Sequence, residues 1–199
     1  MVIGITGGIG SGKSVISRLL RSMGYAVYDS DFEAKNLINN SLPLQKKLAE
    51  AFGKGIFSNG IVNKEAFASL IFSGGEQLRK ANAIIHPEVI KHFLEWLPAQ
   101  KTPLVCIETA ILFESGFDKL VDKILLVYAP QSLRLERAVK RAGEGQRFSV
   151  EQRMAQQISD EEKMKMVDFV VINDEKKLVI PQIEEILLSL QLHIPSQFK

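Results

Sequence analysis

Val2-Ile3-Gly4-Ile5-Thr6-Gly7-Gly8-Ile9-Gly10-Ser11-Gly12-Lys13-Ser14 joins an apolar, β-branched run to a glycine-rich loop that leads into residues of helical period. The loop satisfies G-x-x-x-x-G-K-[ST] in a strand–loop–helix context, the pattern of a phosphate-binding loop. Glycines are needed because the backbone must wrap closely around a β-phosphate with its N–H groups pointing inward. The helix that follows adds the partial positive charge of its N-terminus. Gly8, Ile9, Gly10, Ser11, Gly12, Lys13 and Ser14 are therefore the expected nucleotide-binding residues. Lys13 reaches the β- and γ-oxygens as a point charge, and the Ser14 hydroxyl is placed to hold a bridging Mg²⁺. The expectation is an ATP-using phosphotransferase. The dinucleotide fingerprint G-x-G-x-x-G is absent, because Gly8-Ile9-Gly10 is followed three positions later by Lys13. A guanine-reading Asn-Lys-x-Asp element is not supplied by Asn63-Lys64-Glu65-Ala66.

Outward from the loop, short β-branched runs alternate with longer helical patterns, which predicts an α/β fold with a mostly parallel sheet covered on both faces. The runs are 2–6, 26–28, 104–108, 123–128 and 169–172, hence five strands. The segment between the second and third is too long for one crossover helix and reads as helices. Within it, Asn63-Lys64-Glu65-Ala66-Phe67 and Gly75-Glu76-Gln77-Leu78-Arg79 look like helix starts. Gly53-Lys54-Gly55 and Ser58-Asn59-Gly60 mark turns, and Pro87 is expected to break the helical pattern after His86. Phe93 and Trp96, at helical spacing, belong to the core of this insert. A charged stretch, 134–166, carries Gly143-Glu144-Gly145 between two helical patterns and reads as a mobile lid.

Composition bounds the class. With 199 residues, 46% of them apolar, the chain suffices for one domain with a core, here expected over 1–199 with an insert at 32–101. Its 25 basic and 23 acidic residues leave a net charge of +2, which offers no basis for a nucleic-acid or membrane-surface partner. No apolar run is long enough for a spanning helix, and the one cysteine, Cys106, sits in an apolar run as a core thiol. A cytoplasmic setting is expected, with no obligate protein partner.

Further residues complete a kinase. Asp29 and Asp31 follow the second run at the end of a strand, where open α/β sheets bind ligands. One of them can take the acceptor hydroxyl's proton while the other caps the helix beginning near Phe32. Glu108 also emerges at a strand end and can reach the Mg²⁺ shell through water. Arg134, Arg137, Arg141, Arg147 and Arg153 supply guanidinium groups, and the spacing of Arg137 and Arg141 puts both on one helix face, able to clamp γ-phosphate oxygens. His86 and His92 form no metal-ligand cluster, and a histidine before proline at a helix break reads first as a structural hydrogen-bonding residue.

With these pieces in place the chain resembles the dephospho-CoA kinase family nearly end to end. The likeness rests on the loop, on Asp29-Ser30-Asp31 resembling the family's D-A-D, and on Ile85-His86-Pro87. It extends to Ile111-Leu112-Phe113-Glu114, and to Arg153, Gln157, Lys163 and the run from Asp168 to Asn173, which follow the family's R-I-x-x-Q, K and A-D-x-V-I-x-N pattern. The resemblance implies ATP, Mg²⁺ and dephospho-CoA as ligands, a parallel five-stranded core, a CoA-binding insert and a lid. It makes Asp31 the catalytic base, places His86 and Glu108 at the acceptor, and adds Asn173 to the nucleotide site. Ser30, Ala110, Glu108 and Val167 depart from the usual alanine, proline, aspartate and alanine, and none of these changes removes a phosphate-handling group. The loop 143–148 has no clear counterpart in the family pattern. Another small-molecule kinase of this fold, and a regulatory ATPase using the insert as an interaction module, are the alternatives.

Overall fold

The computed structural model describes residues 1–58, 61–63, 66–67, 69–70 and 75–192. They form two compact units: Met1–Tyr28 with Gln100–Lys199, and Asp29–Ala99.

In the first unit, β1 (Val2–Thr6) leads through the loop into α1 (Lys13–Ser22) and then β2 (Ala26–Asp29). After the second unit come β5 (Val105–Glu108), β6 (Lys123–Tyr128), α5 (Gln131–Ala142), α6 (Arg147–Ala155), the short α7 (Asp160–Lys163), β7 (Phe169–Ile172) and α8 (Val179–Ser189). The strand order is β2-β5-β1-β6-β7. β1 pairs in parallel with β5 and β6, Ile3 lying opposite both Cys106 and Lys123, and β6 pairs in parallel with β7. The five expected strands are all present, and the runs at 2–6, 123–128 and 169–172 keep their bounds.

Central strands buried on both faces explain why these runs are continuously apolar. Ile3, Ile5, Cys106, Leu125 and Val127 form one core with Ile16 and Leu20 of α1 and with Ile183 and Leu187 of α8. Each large side chain in this core contributes roughly 1.5–3 kcal/mol by leaving water. Cys106 is fully buried, and burial pushes its thiol pKa up to about 12, as expected of an inert core residue. Asp168 clamps β7 to β6: its carboxylate accepts from the Ile124 N–H (2.8 Å) and from Lys123 (2.8 Å), while its own N–H donates to the Ile124 carbonyl (3.0 Å).

In the second unit, α2 (Ser30–Asn40), α3 (Leu42–Phe52) and α4 (Gly75–Trp96) carry the core residues Ile38, Leu44, Leu48, Ile85, Val89 and Phe93. Phe93 is fully buried and stacks with Trp96 at 6.2 Å between ring centroids, as expected.

Two expectations for this unit are corrected. Pro87 does not break the helix, for α4 runs through it. An internal proline costs about 3 kcal/mol. Against that cost, Ala81, Ile85, Val89 and Phe93 recur every fourth residue and are all buried, so unwinding at Pro87 would expose this stripe. The insert is also not wholly helical: β3 (Phe57–Ser58) pairs antiparallel with β4 (Ile61–Val62), Phe57 opposite Val62. An Asn-Gly between two β-prone dipeptides is a hairpin signal in its own right. Asn59 and Gly60 of the turn expected at Ser58-Asn59-Gly60 lie outside the described residues, as do Lys64 and Glu65 of the expected helix start and the tail 193–199. Asn63 nonetheless accepts at Oδ1 from the Ala66 N–H (3.1 Å), a capping contact.

Candidate active site

The loop takes its shape from backbone that only glycine adopts easily. Gly10 and Gly12 have φ of +82° and +96°, and a Cβ on Gly12 would collide with the Asn173 amide. Lys13 Nζ donates to the carbonyls of Gly7 (2.8 Å) and Gly8 (3.3 Å), so its ammonium is held over the first turn of the loop. Ser14 is exposed in the first turn of α1. Among the described residues, the buried hydroxyls of Thr6 and Ser11 have no hydrogen-bond partner. A glycine-rich loop carrying a lysine and buried hydroxyls suits a polyphosphate.

Three side chains from distant sequence hold the loop from outside. Asp160 Oδ1 accepts from the Gly8 N–H (3.0 Å), Gln157 Oε1 accepts from the Ile9 N–H (3.0 Å), and Asn173 Nδ2 donates to the Ser11 carbonyl (2.8 Å). Asp160 and Lys163 are at most 1% exposed. Arg134 Nε lies 3.3 Å from Asp160 Oδ2 and donates to the Ala129 carbonyl at 3.1 Å, with its guanidinium against Gly8. Burial raises the Asp160 pKa above the ordinary carboxylate range, and Arg134, Lys163 and the Gly8 N–H oppose that rise. Burial likewise lowers the Lys163 ammonium, opposed by Glu114 and Asp160.

Arg137 and Arg141, the arginines expected to form a clamp, both lie on α5. Arg137 Nη1 donates to the Asn173 carbonyl (3.1 Å), and its Nη2 pairs with Glu175 (3.0 Å). Arg141 is exposed in the last turn of α5, and among the described residues it makes no ion pair. Arg147 pairs loosely with Glu151 at 3.8 Å, and Arg153 donates to the Ser149 carbonyl at 3.2 Å. Glu108 ends β5, buried, with Thr109 donating to the Ile5 carbonyl at 3.0 Å.

The remaining candidates belong to the second unit. Asp29 is the N-cap of α2, its Oδ1 accepting from the Phe32 N–H at 3.0 Å, and Asp31 is exposed in the first helical turn. His86 is half-buried within α4.

Sequence reasoning gave no role to Asp160 and quoted Gln157 and Lys163 only as pattern matches. One signal was available. Ser159-Asp160-Glu161-Glu162 is a capping box, with Ser159 Oγ accepting from the Glu162 N–H (3.1 Å) and the Ser159 N–H donating to Glu162 (3.4 Å). It locates a helix start but says nothing about a carboxylate buried between two cations.

Comparison with known proteins is consistent with this geometry. The profile of the family described as dephospho-CoA kinase matches residues 1–178. A dephospho-CoA kinase of Bacteroides fragilis strain YCH46 is 45% identical over 93% of this chain and 90% of its own length. One of Porphyromonas gingivalis strain W83 is 41% identical over 98% and 97%. A crystal structure from Thermus thermophilus superposes with a TM-score of 0.85 at 34% identity, covering 97% of this chain and 98% of that one.

Proposed function

The chain belongs to the dephospho-CoA kinase family, and from that premise we infer that its loop 7–14 delivers the γ-phosphoryl group of ATP to the ribose 3′-hydroxyl of dephospho-CoA, giving coenzyme A. The observation that carries this reading is the loop, with Lys13 held over its first turn and left-handed glycine conformations at Gly10 and Gly12. Gly8 to Ser14 bind the phosphates, and Asn173 supports the nucleotide by holding Ser11. Mg²⁺, held through the Ser14 hydroxyl and through water from Glu108, would supply charge neutralisation at the phosphates. Among the described residues, no group of three acidic, histidine or cysteine side chains stands ready to hold a metal without the nucleotide. That suits a metal bound chiefly by phosphate oxygens.

Asp31 accepts the proton of the 3′-hydroxyl while the new P–O bond forms and the bond to the leaving ADP breaks. Lys13, Arg137 and Arg141 balance the charge on the transferring group. Arg137 must first release Glu175, an ion pair whose carboxylate is 65% exposed. Such pairs hold by about 1 kcal/mol or less, so the release is easily offset by phosphate contacts. The insert 32–101, with His86, takes the acceptor, and 134–166 closes as the lid. No helix among the described residues is long and apolar enough to cross a membrane. We place the enzyme in the cytoplasm without an obligate partner.

The test is a screen of ATP consumption with dephospho-CoA, adenosine, shikimate and nucleoside monophosphates, and with Lys13→Ala as the control. Coenzyme A should form from dephospho-CoA alone, and Lys13→Ala should lose orders of magnitude in turnover with little change in Tm. Transfer to a nucleoside monophosphate and none to dephospho-CoA would overturn the acceptor assignment.

A further inference from the structure

The foot of the lid is tied to the phosphate loop by a set of contacts that the transfer mechanism does not use. Gln157 follows α6 by two residues and Asp160 begins α7, yet together they supply the acceptors for two consecutive loop amides, Ile9 and Gly8. Gln157 also donates through Nε2 to the Ala110 carbonyl (3.4 Å), and Lys163 donates to the same oxygen (3.2 Å), so one short segment spans the loop and the turn after β5. The Ile9 side chain packs against the apolar cluster of the lid hairpin, Ala138, Val139 and Val150. The first turn of the loop is thus fastened to the lid by backbone and side chain together.

Stability alone gives a weak reason for this design. A carboxylate buried between Arg134 and Lys163 bears a large desolvation cost that ion pairing only offsets, and apolar replacements of such clusters are often as stable or more so. What the arrangement does achieve is geometric. With the Gly8 and Ile9 amides satisfied from outside, and the Ser11 N–H bonded to the Gly8 carbonyl at 3.1 Å, the first turn of the loop is held in place. We propose that Gln157 and Asp160 are positioning residues that hold the loop in its phosphate-binding shape and couple lid position to ATP affinity. The proposal rests on the nucleotide reading above.

The test uses the full chain and calorimetric titration with the β,γ-imido analogue of ATP and Mg²⁺, alongside thermal unfolding and hydrogen exchange at Gly8 and Ile9. Gln157→Met keeps the side-chain volume and removes the acceptor. It should weaken analogue binding about fivefold to tenfold, the equivalent of one forfeited hydrogen bond with its amide left unpaired, and speed exchange at Ile9, with Tm nearly unchanged. Asp160→Asn retains an acceptor for Gly8 but leaves Arg134 and Lys163 without their counter-charge. It is the control for charge and should lower Tm with little change in analogue affinity, whereas Asp160→Ala, which also removes the acceptor, should weaken analogue binding about fivefold and speed exchange at Gly8. A purely structural role would give the opposite split, with Tm falling and affinity intact for Gln157→Met. Affinity unchanged in Gln157→Met, with Lys13→Ala still impaired, overturns the proposal. An unimpaired Lys13→Ala instead overturns the nucleotide reading itself.

Discussion

Gly12→Ala probes the loop most directly, because two separate costs can be worked out for it. An L-residue held at a φ of +96° carries about 1–2 kcal/mol of strain. Its Cβ would also displace the Asn173 amide from the Ser11 carbonyl, now 2.8 Å away, forfeiting a hydrogen bond of about 1 kcal/mol. Together they come to about 2–3 kcal/mol, or roughly 30- to 150-fold in an equilibrium constant. The substitution leaves the sheet core untouched and acts where Asn173 braces the loop, so it distorts the loop rather than the core. The cost should therefore appear in nucleotide affinity rather than in folding. Titration with the imido analogue of ATP should show that loss, while Asn173→Ala, which removes only the hydrogen bond, should show about fivefold. A Kd for Gly12→Ala within threefold of the parent would refute the claim that this backbone conformation is what binds phosphate.

Asp31→Asn should lose about a hundredfold or more in turnover with ATP affinity near normal. Asp29→Ala should instead cost about 1 kcal/mol of stability by uncapping α2. Single-turnover kinetics showing the larger chemical loss at Asp29 would reverse these roles. Pro87→Ala should raise Tm by restoring a helical N–H while weakening dephospho-CoA binding if the proline shapes the surroundings of His86; an unchanged KM would remove Pro87 from acceptor recognition. The bond from Lys123, then the Ile124 N–H, hold the Asp168 pKa below its usual range, so its contribution is present above the unfolded carboxylate pKa near 3.9 and is lost as pH falls through the folded value. Asp168→Asn should lower Tm at pH 7, by an amount limited by the partial exposure of the pair, and the gap from the parent should close below about pH 4. A gap that stays constant down to pH 2 would mean that the carboxylate charge is not what holds β7 to β6.

Local patterns carried most of the fold. A β-branched run, a glycine loop and an amphipathic helix are short-range signals, and in this chain they located all five strands, the phosphate loop and the core thiol Cys106. The hairpin at Phe57–Ser58 and Ile61–Val62 was equally local and was misread only because its strands are two residues long. Pro87 marks where local reasoning reached its limit, since whether a proline ends a helix depends on what its neighbours bury, and the stripe from Ala81 to Phe93 outweighed it. Of the braces on the loop, Gln157 and Asn173 were visible only through the family resemblance, and Asp160 was not visible at all. Asp160 stands 152 positions from Gly8 and Asn173 162 from Ser11. Nothing in a run of residues states which buried amide a distant carboxylate will meet, because that meeting is settled only when the segment after α6 folds back onto the loop. Side-chain chemistry along the chain thus determined the order of strands and helices and the position of the glycine loop between β1 and α1. Tertiary packing decided which groups hold the binding loop in shape, since burial and long-range hydrogen bonds exist only after the chain has folded.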